Sequence, residues 1–203
     1  MNELTSSDLL AQNRDWSERT RREDPGFFQR LTEQQSPRFL WIGCSDSRVP
    51  ANQITGLVPG QVFVHRNVSN IAHPTDVNLM SVLEYAVDIL EVREILVVGH
   101  YGCGGIRQAI SGRLPGLADF WLEPIRELRR DHHEELSVLS AQSLEDRLCE
   151  LNVEQQVRSL SHSGIVQRAW ERGQSLEVHG WIYSLSDGVL KDLKVSRCSA
   201  SRN

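Results

Sequence analysis

The sequence contains few cysteines, no long apolar segment and no block of like charges. The four cysteines, Cys44, Cys103, Cys149 and Cys198, are too few and too scattered across 203 residues for a disulfide scaffold. We therefore expect a reducing, cytoplasmic setting, where cysteines serve as metal ligands, nucleophiles or core residues. No window approaches the ~18 consecutive apolar residues of a membrane span, and the N-terminus shows no secretory signal pattern.

The charge balance is mildly acidic. The chain has 22 Lys and Arg residues against 27 Asp and Glu residues, a net charge of −5. This balance argues against a nucleic-acid or membrane-surface partner and favours a small-molecule partner. A hydrophobic fraction of 39% beside 24% charged residues is typical of a globular chain with a real core. At roughly 150 residues per domain, residues 1–203 are expected to form a single domain.

The hydrophobic pattern predicts an α/β fold with a mostly parallel central sheet flanked by helices. Short apolar runs at residues 38–44, 62–66 and 94–100 predict three buried strands. A helix capped by Thr75 and extending to about Leu90 is predicted before the third strand. The order strand, helix, strand favours right-handed crossovers and parallel pairing.

The two ends of the chain differ from this central pattern. Residues 1–35 predict a helical arm, capped by one of the hydroxyl residues at positions 5–7, with too few apolar residues for a core of its own. Residues 117–171 predict mainly helix. The last segment predicts a hairpin around the Ser186–Gly188 turn, which adds an antiparallel edge to the sheet.

Two predicted strands end in residues that can bind metal. The first runs into CSDSR at residues 44–48 and the third into HYGCGG at residues 100–105. The carboxyl ends of neighbouring parallel strands meet at one edge of a sheet, so these segments would supply two thiolates, an imidazole and a carboxylate. Such a set suits tetrahedral zinc. From spacing alone, the alternative of small core cysteines and a hydrogen-bonded core histidine stays open.

The paired motifs CSDSR at 44–48 and GHYGCGG at 99–105 resemble those of the β-class carbonic anhydrases. The likeness extends from about Gln35 through the strand at residues 181–183. It implies a zinc lyase that interconverts CO2 and bicarbonate, assembled as a homodimer or as a homotetramer built from two dimers. In such an assembly, residues 1–35 would form a dimerisation arm.

The resemblance implies roles for five residues of the two motifs. Cys44, His100 and Cys103 would be the permanent ligands of one Zn²⁺ per subunit. Asp46 would accept a hydrogen bond from zinc-bound hydroxide, and Arg48 would keep that carboxylate ionised and oriented. The implied reaction is attack of the hydroxide on CO2, which yields bicarbonate and a proton.

Further substrate contacts are implied by the same resemblance. Gln35 would reach the substrate across a dimer interface, and the Gly104 N–H would bind an anionic oxygen. Phe63, Val68 and Tyr85 match apolar residues around the CO2 pocket, although ordinary core packing explains these three equally well.

A bicarbonate-regulated subgroup of the family, type II, has a second, non-catalytic anion site. Trp41, Arg66 and Tyr183 occupy the positions that form this site. The implied mechanism is a switch in which Asp46 leaves Arg48 and becomes the fourth zinc ligand. Bicarbonate and low pH would both favour this inactive state, so the two sites would be coupled.

Two alternatives to CO2 hydration remain open at this point. A hydrolase of CS2 or COS could use the same fold and zinc ligands, because neither fixes the substrate. A non-catalytic zinc or bicarbonate sensor could hold its metal for structure alone. Asp46 and Arg48 argue against the sensor, since a structural zinc site needs no hydrogen-bond acceptor for hydroxide.

Overall fold

The N-terminal part of the chain is helical, and its described residues 4–33 include no buried side chain. In a computed structural model, residues 4–33, 35–112 and 115–199 are described, and internal contacts divide the chain into two compact units, residues 1–35 and 36–203. The first unit contains α1 (Ser6–Glu23) and α2 (Phe27–Glu33), neither with a buried residue. Thr5 caps α1 through a reciprocal pair of hydrogen bonds with Asp8. The predicted helical character and the capping position are confirmed.

The second unit is a six-stranded sheet with helices. Its strands are β1 (Phe39–Cys44), β2 (Val62–Asn67), β3 (Glu94–His100), β4 (Glu177–Tyr183), β5 (Leu190–Asp192) and β6 (Arg197–Cys198). Its helices are α3 (Ala51–Thr55), α4 (Val77–Glu84), α5 (Gly104–Ser111), α6 (Leu117–Trp121), α7 (Glu123–Asp131), α8 (His133–Ser137), α9 (Ala141–Ser161) and α10 (Gly164–Glu171). Within the described ranges, none of the helices has the length and apolar character needed to cross a lipid bilayer.

The strands follow the order β2-β1-β3-β4-β5, and the first four run parallel. Strand β5 pairs antiparallel with β4 after the turn at residues 186–188, and β6 also pairs antiparallel with β4. The predicted α/β fold, its three leading strands and the edge hairpin are confirmed. Strand β6 was not predicted, because two residues in a polar tail carry no periodic signal.

The helix that precedes β3 begins one residue later than expected. The Asp76 carboxylate caps α4 by accepting hydrogen bonds from two backbone N–H groups of its first turn. The prediction that Thr75 is the cap is wrong, because the Thr75 hydroxyl instead bonds to the His73 ring 2.7 Å away. The helix ends at Glu84, and a π turn leads the chain to Leu90.

The sheet separates a large core from a small one. Leu40, Ile42 and Cys44 of β1 belong to the large core, which the helices complete. Trp41 points to the other face and belongs to the small core. Because successive residues of a strand face opposite sides, the end of β1 directs the Cys44 thiol toward the helical side.

The packing of α9 on β4 depends on Gly180. A Cβ at this position would lie 2.6 Å from a Val195 methyl and 3.0 Å from a methyl of both Val153 and Val157. We predict that Gly180→Ala lowers the free energy of unfolding by about 1–3 kcal/mol, because branched side chains cannot rotate away. Urea titration measures the loss. Gly164→Ala is the control, since its Cβ meets only the end of a flexible arginine; an equal loss there would contradict the prediction.

Candidate metal centre

Parallel pairing of β1 with β3 brings two buried cysteines and a histidine together. Cys44 ends β1, His100 ends β3, and Cys103 lies directly before α5. The Cys44 and Cys103 sulfurs are 3.9 Å apart. The donor atoms of the three residues all lie within 4.8 Å of one another, the one such group found among the residues that the structure describes. This convergence at the carboxyl edge of the sheet was expected from the motifs at residues 44–48 and 100–105.

The histidine of this group presents a free lone pair. His100 Nδ1 lies 3.0 Å from the Tyr101 carbonyl oxygen, to which its N–H donates. Nε2 therefore carries no proton in the neutral ring, and it is buried without a hydrogen-bond partner. Two sulfurs and an unpartnered imidazole nitrogen form the soft and borderline donor set that zinc prefers. The residues present fit a zinc ion.

The two thiols are strongly coupled. The neighbouring Cys103 sulfur, together with burial, raises the pKa of Cys44 well above its usual range. Conversely, the neighbouring Cys44 thiol, together with the nearby His100 ring, lowers the pKa of Cys103. Loss of both protons is therefore unfavourable for the pair on its own, whereas a bound cation would favour two thiolates.

Asp46 and Arg48 form a bidentate ion pair beside the cysteines. Arg48 Nε lies 2.9 Å from Asp46 Oδ1, and Arg48 Nη2 lies 2.6 Å from Oδ2. These hydrogen bonds hold the pKa of Asp46 well below its usual range. Asp46 Oδ2 is 3.8 Å from His100 Nε2, so an ionised carboxylate borders the donor group. The structure shows this carboxylate paired with Arg48.

The residues expected around the substrate occupy varied surroundings. The rings of Phe63 and Tyr85 lie 5.9 Å apart, and Tyr85 and Val68 are nearly half exposed. Gly104 begins α5, and a Cβ at this position would meet no described atom within 4 Å outside its chain neighbours and its own helix backbone. Gln35 is an exposed residue of the N-terminal unit, and its contact with substrate stays a prediction.

The three residues of the expected anion site lie on one face of the sheet. Trp41 is fully buried, and its indole N–H has no acceptor. Tyr183 packs against the same small core as Trp41. Arg66 donates to the carbonyl oxygen of Cys44 at 2.7 Å and also to that of Asp46. Through these two hydrogen bonds, Arg66 holds the segment that carries the Cys44 thiol and the Asp46 carboxylate.

One residue in contact with the cysteines was missed by the sequence analysis. Ser69 is fully buried, and its hydroxyl oxygen lies 3.6 Å from the Cys103 sulfur. The Ser69 carbonyl accepts a hydrogen bond from Asn152 of α9 at 2.9 Å, and Gln156 bonds to Asn152 at 2.8 Å. Asn152 and Gln156 are four residues apart on a mainly apolar helix face, and buried amides need hydrogen-bond partners. Their spacing could therefore have indicated that α9 supports a neighbouring loop.

Comparisons with known proteins agree with this geometry. A family model described as carbonic anhydrase matches residues 39–190. A carbonic anhydrase of Emericella nidulans is 44% identical over 194 residues, which cover 95% of this chain and 85% of that protein. The structure of the Coccomyxa β-carbonic anhydrase in complex with acetazolamide has a TM-score of 0.91 at 41% identity, covering 94% of this chain and 87% of that one. A β-carbonic anhydrase of Sordaria macrospora, described as tetrameric, has a TM-score of 0.90 at 40% identity, covering 93% and 96%.

The pairing of Asp46 with Arg48 makes a testable prediction about pH. Because the folded pKa of Asp46 is depressed, the pair contributes its full stability above the ordinary value of ~3.9 and loses it as the pH falls through the folded pKa. We predict that Arg48→Gln raises the pKa of Asp46 by ~1–3 units, measured by carboxyl ¹³C NMR. Arg172→Gln, which breaks an ion pair with Asp88 instead, is the control. An unchanged Asp46 pKa in the Arg48 variant would contradict the assignment.

Proposed function

The chain belongs to the β-class carbonic anhydrase family, and from that premise we propose that it catalyses zinc-dependent, reversible hydration of CO2 to bicarbonate and a proton. The observation that carries the proposal is the buried group of Cys44, His100 and Cys103 beside an ionised carboxylate. When bound, one zinc per subunit would act as a Lewis acid that lowers the pKa of water toward neutrality. The three residues would hold it.

The charge of the donor set explains why a carboxylate is needed beside it. Two thiolates and a neutral imidazole cancel the charge of Zn²⁺, which weakens its effect on a water pKa relative to an all-imidazole site. Asp46 would offset this by accepting a hydrogen bond from the attacking water and so orienting it. Arg48 holds Asp46 ionised and directs both carboxylate oxygens. A metal held for structure alone would not require this pair, which argues against a sensor.

The remaining substrate contacts complete the proposal. Phe63, Val68 and Tyr85 would offer an apolar wall to CO2, which carries no net charge. The N–H of Gly104, at the first position of α5, would donate to an oxygen that becomes negative. Gln35 would reach the substrate across a dimer interface.

We propose that the protein works as a homo-oligomer in a reducing cytoplasm. Free thiols in all four cysteines and the metal-binding role of two of them suit that compartment. The Sordaria macrospora relative is described as tetrameric, which supports a homo-oligomer. We propose a dimer, or a tetramer built from two dimers, in which residues 1–35 form the dimerisation arm.

The role of Asp46 is tested by Asp46→Asn in a stopped-flow CO2 hydration assay on protein of measured zinc content. The amide keeps the shape of the side chain but loses the charge, so we predict that kcat/KM falls ~100-fold or more at unchanged zinc content. Asp88→Asn is the matched control, because Asp88 pairs with Arg172 in an ion pair of its own. Full activity of the Asp46 variant would show that the proposed role is wrong.

We also propose regulation by bicarbonate of the type II kind, through Trp41, Arg66 and Tyr183. The support is the buried Trp41 N–H without an acceptor, on the same sheet face as the Tyr183 ring. Arg66 pairs with Gly43, two residues after Trp41, and therefore belongs to that face as well. An anion there would compete with the Cys44 and Asp46 carbonyls for Arg66 and so release their segment. Asp46 would then leave its ion pair and join the zinc donor set. Low pH would favour the same state, since hydroxide is scarcer.

Bicarbonate inhibition provides the test of this regulation. We predict that Trp41→Phe, which deletes only the donor and part of the ring, raises the inhibitory bicarbonate concentration ~10-fold at unchanged zinc content, because a hydrogen bond to an anion is lost. Initial CO2 hydration rates at constant ionic strength measure the effect. Trp181→Phe, on the same sheet face, is the control. If Arg66→Ala and Trp41→Phe both keep normal bicarbonate sensitivity, the proposed site is wrong.

A further inference from the structure

Ser69 brings a buried hydroxyl group to one sulfur of the metal centre from a short turn. It lies in the 3₁₀ turn Val68–Asn70 and is fully buried. Its hydroxyl oxygen is 3.6 Å from the Cys103 sulfur. That sulfur lies 3.9 Å from the sulfur of Cys44. The pair of thiol groups therefore has, at Cys103, a hydrogen-bonding neighbour that belongs to neither sequence motif.

The backbone of Ser69 takes a conformation that its surroundings must maintain. Its φ is 65° and that of Asn70 is 46°, so two successive residues with side chains occupy the left-handed region. Asn152 of α9 holds the Ser69 carbonyl at 2.9 Å. Gln156, one turn later, accepts a hydrogen bond from the backbone N–H of Ala72 at 2.8 Å. The buried amides of α9 thus hold the turn against the sulfurs.

The space for the Ser69 hydroxyl is provided by a glycine. A Cβ at Gly105 would overlap the Ser69 hydroxyl oxygen and would lie 3.1 Å from a Val68 methyl. The absence of a side chain at Gly105 lets the hydroxyl approach Cys103. The turn, helix α9 and Gly105 together place the Ser69 hydroxyl beside the Cys103 sulfur.

We propose that Ser69 is a positioning residue for the metal centre, with its hydroxyl donating a hydrogen bond to the Cys103 sulfur. The inference rests on the proposed zinc-dependent function. A sulfur that binds zinc has lost its proton, so the Ser69 hydroxyl is the donor in this hydrogen bond. A donor withdraws electron density from a thiolate and fixes its direction. Because two thiolates already neutralise the metal charge, Ser69 limits how far they weaken its Lewis acidity.

The test compares Ser69→Ala with Ser161→Ala. Ser161 is also buried, but its hydroxyl donates to the Val157 carbonyl within α9. We expect Ser69→Ala to weaken zinc binding ~10-fold in competition with a chelator. In the cobalt-substituted protein, the sulfur-to-cobalt charge-transfer band should move to lower energy, because the sulfur regains electron density. Ser161→Ala should change neither property.

A second variant separates the effect of losing the Ser69 hydroxyl from any effect on the backbone conformation. Ser69→Gly also lacks the hydroxyl, yet glycine adopts a φ of 65° without strain. We expect it to match Ser69→Ala in zinc affinity and in the cobalt band. Wild-type values in both variants, or recovery of wild-type values in the glycine variant alone, would overturn the role of the hydroxyl while leaving the proposed function intact. A wild-type protein that binds neither metal would overturn both.

Discussion

The parallel pairing of β1 with β3 holds the metal centre together. Cys44 and His100 are 56 positions apart in the chain, and each is the last residue of its strand. The register that sets Gly43 against Val98 brings both strand ends to one edge of the sheet. Cys103 follows within one turn, so the pairing of two buried strands leaves little freedom in the donor set. Buried parallel strands are well suited to this, since packing on both faces fixes their register.

Electrostatics then divides the centre into two parts, which balance their charges in different ways. The donor group is buried and close to neutral once a divalent cation is bound, whereas Asp46 and Arg48 form an ion pair at its border. Arg66 links the two, because its guanidinium holds the carbonyls of the segment between them. A change in the contacts of Arg66 is therefore a physical route by which an anion on one sheet face can affect a carboxylate at the strand edge.

Much of this arrangement was readable from the sequence, because it depends on local patterns. Apolar runs predicted the leading strands, and the residues that follow β1 and β3 indicated a zinc donor set, with core packing as the alternative. The resemblance to the β-class carbonic anhydrases then implied which residues are the ligands. Backbone conformation and contacts with backbone atoms could not be predicted. The residue types alone indicate neither the left-handed φ of Ser69 nor the hydrogen bonds of Arg66 to carbonyl oxygens. The sequence also could not show that Asp76, and not Thr75, caps α4. Both residue types cap helices, and a contact between Thr75 and His73 decided which one did.

The central claim is that Cys44, His100 and Cys103 together hold zinc. X-ray absorption at the zinc edge, on purified protein whose metal content is known, tests it most directly. The account predicts one zinc per chain, with two sulfur ligands at about 2.3 Å and at least one nitrogen at about 2.0–2.1 Å. A first shell made only of oxygen and nitrogen, with no sulfur, would contradict it.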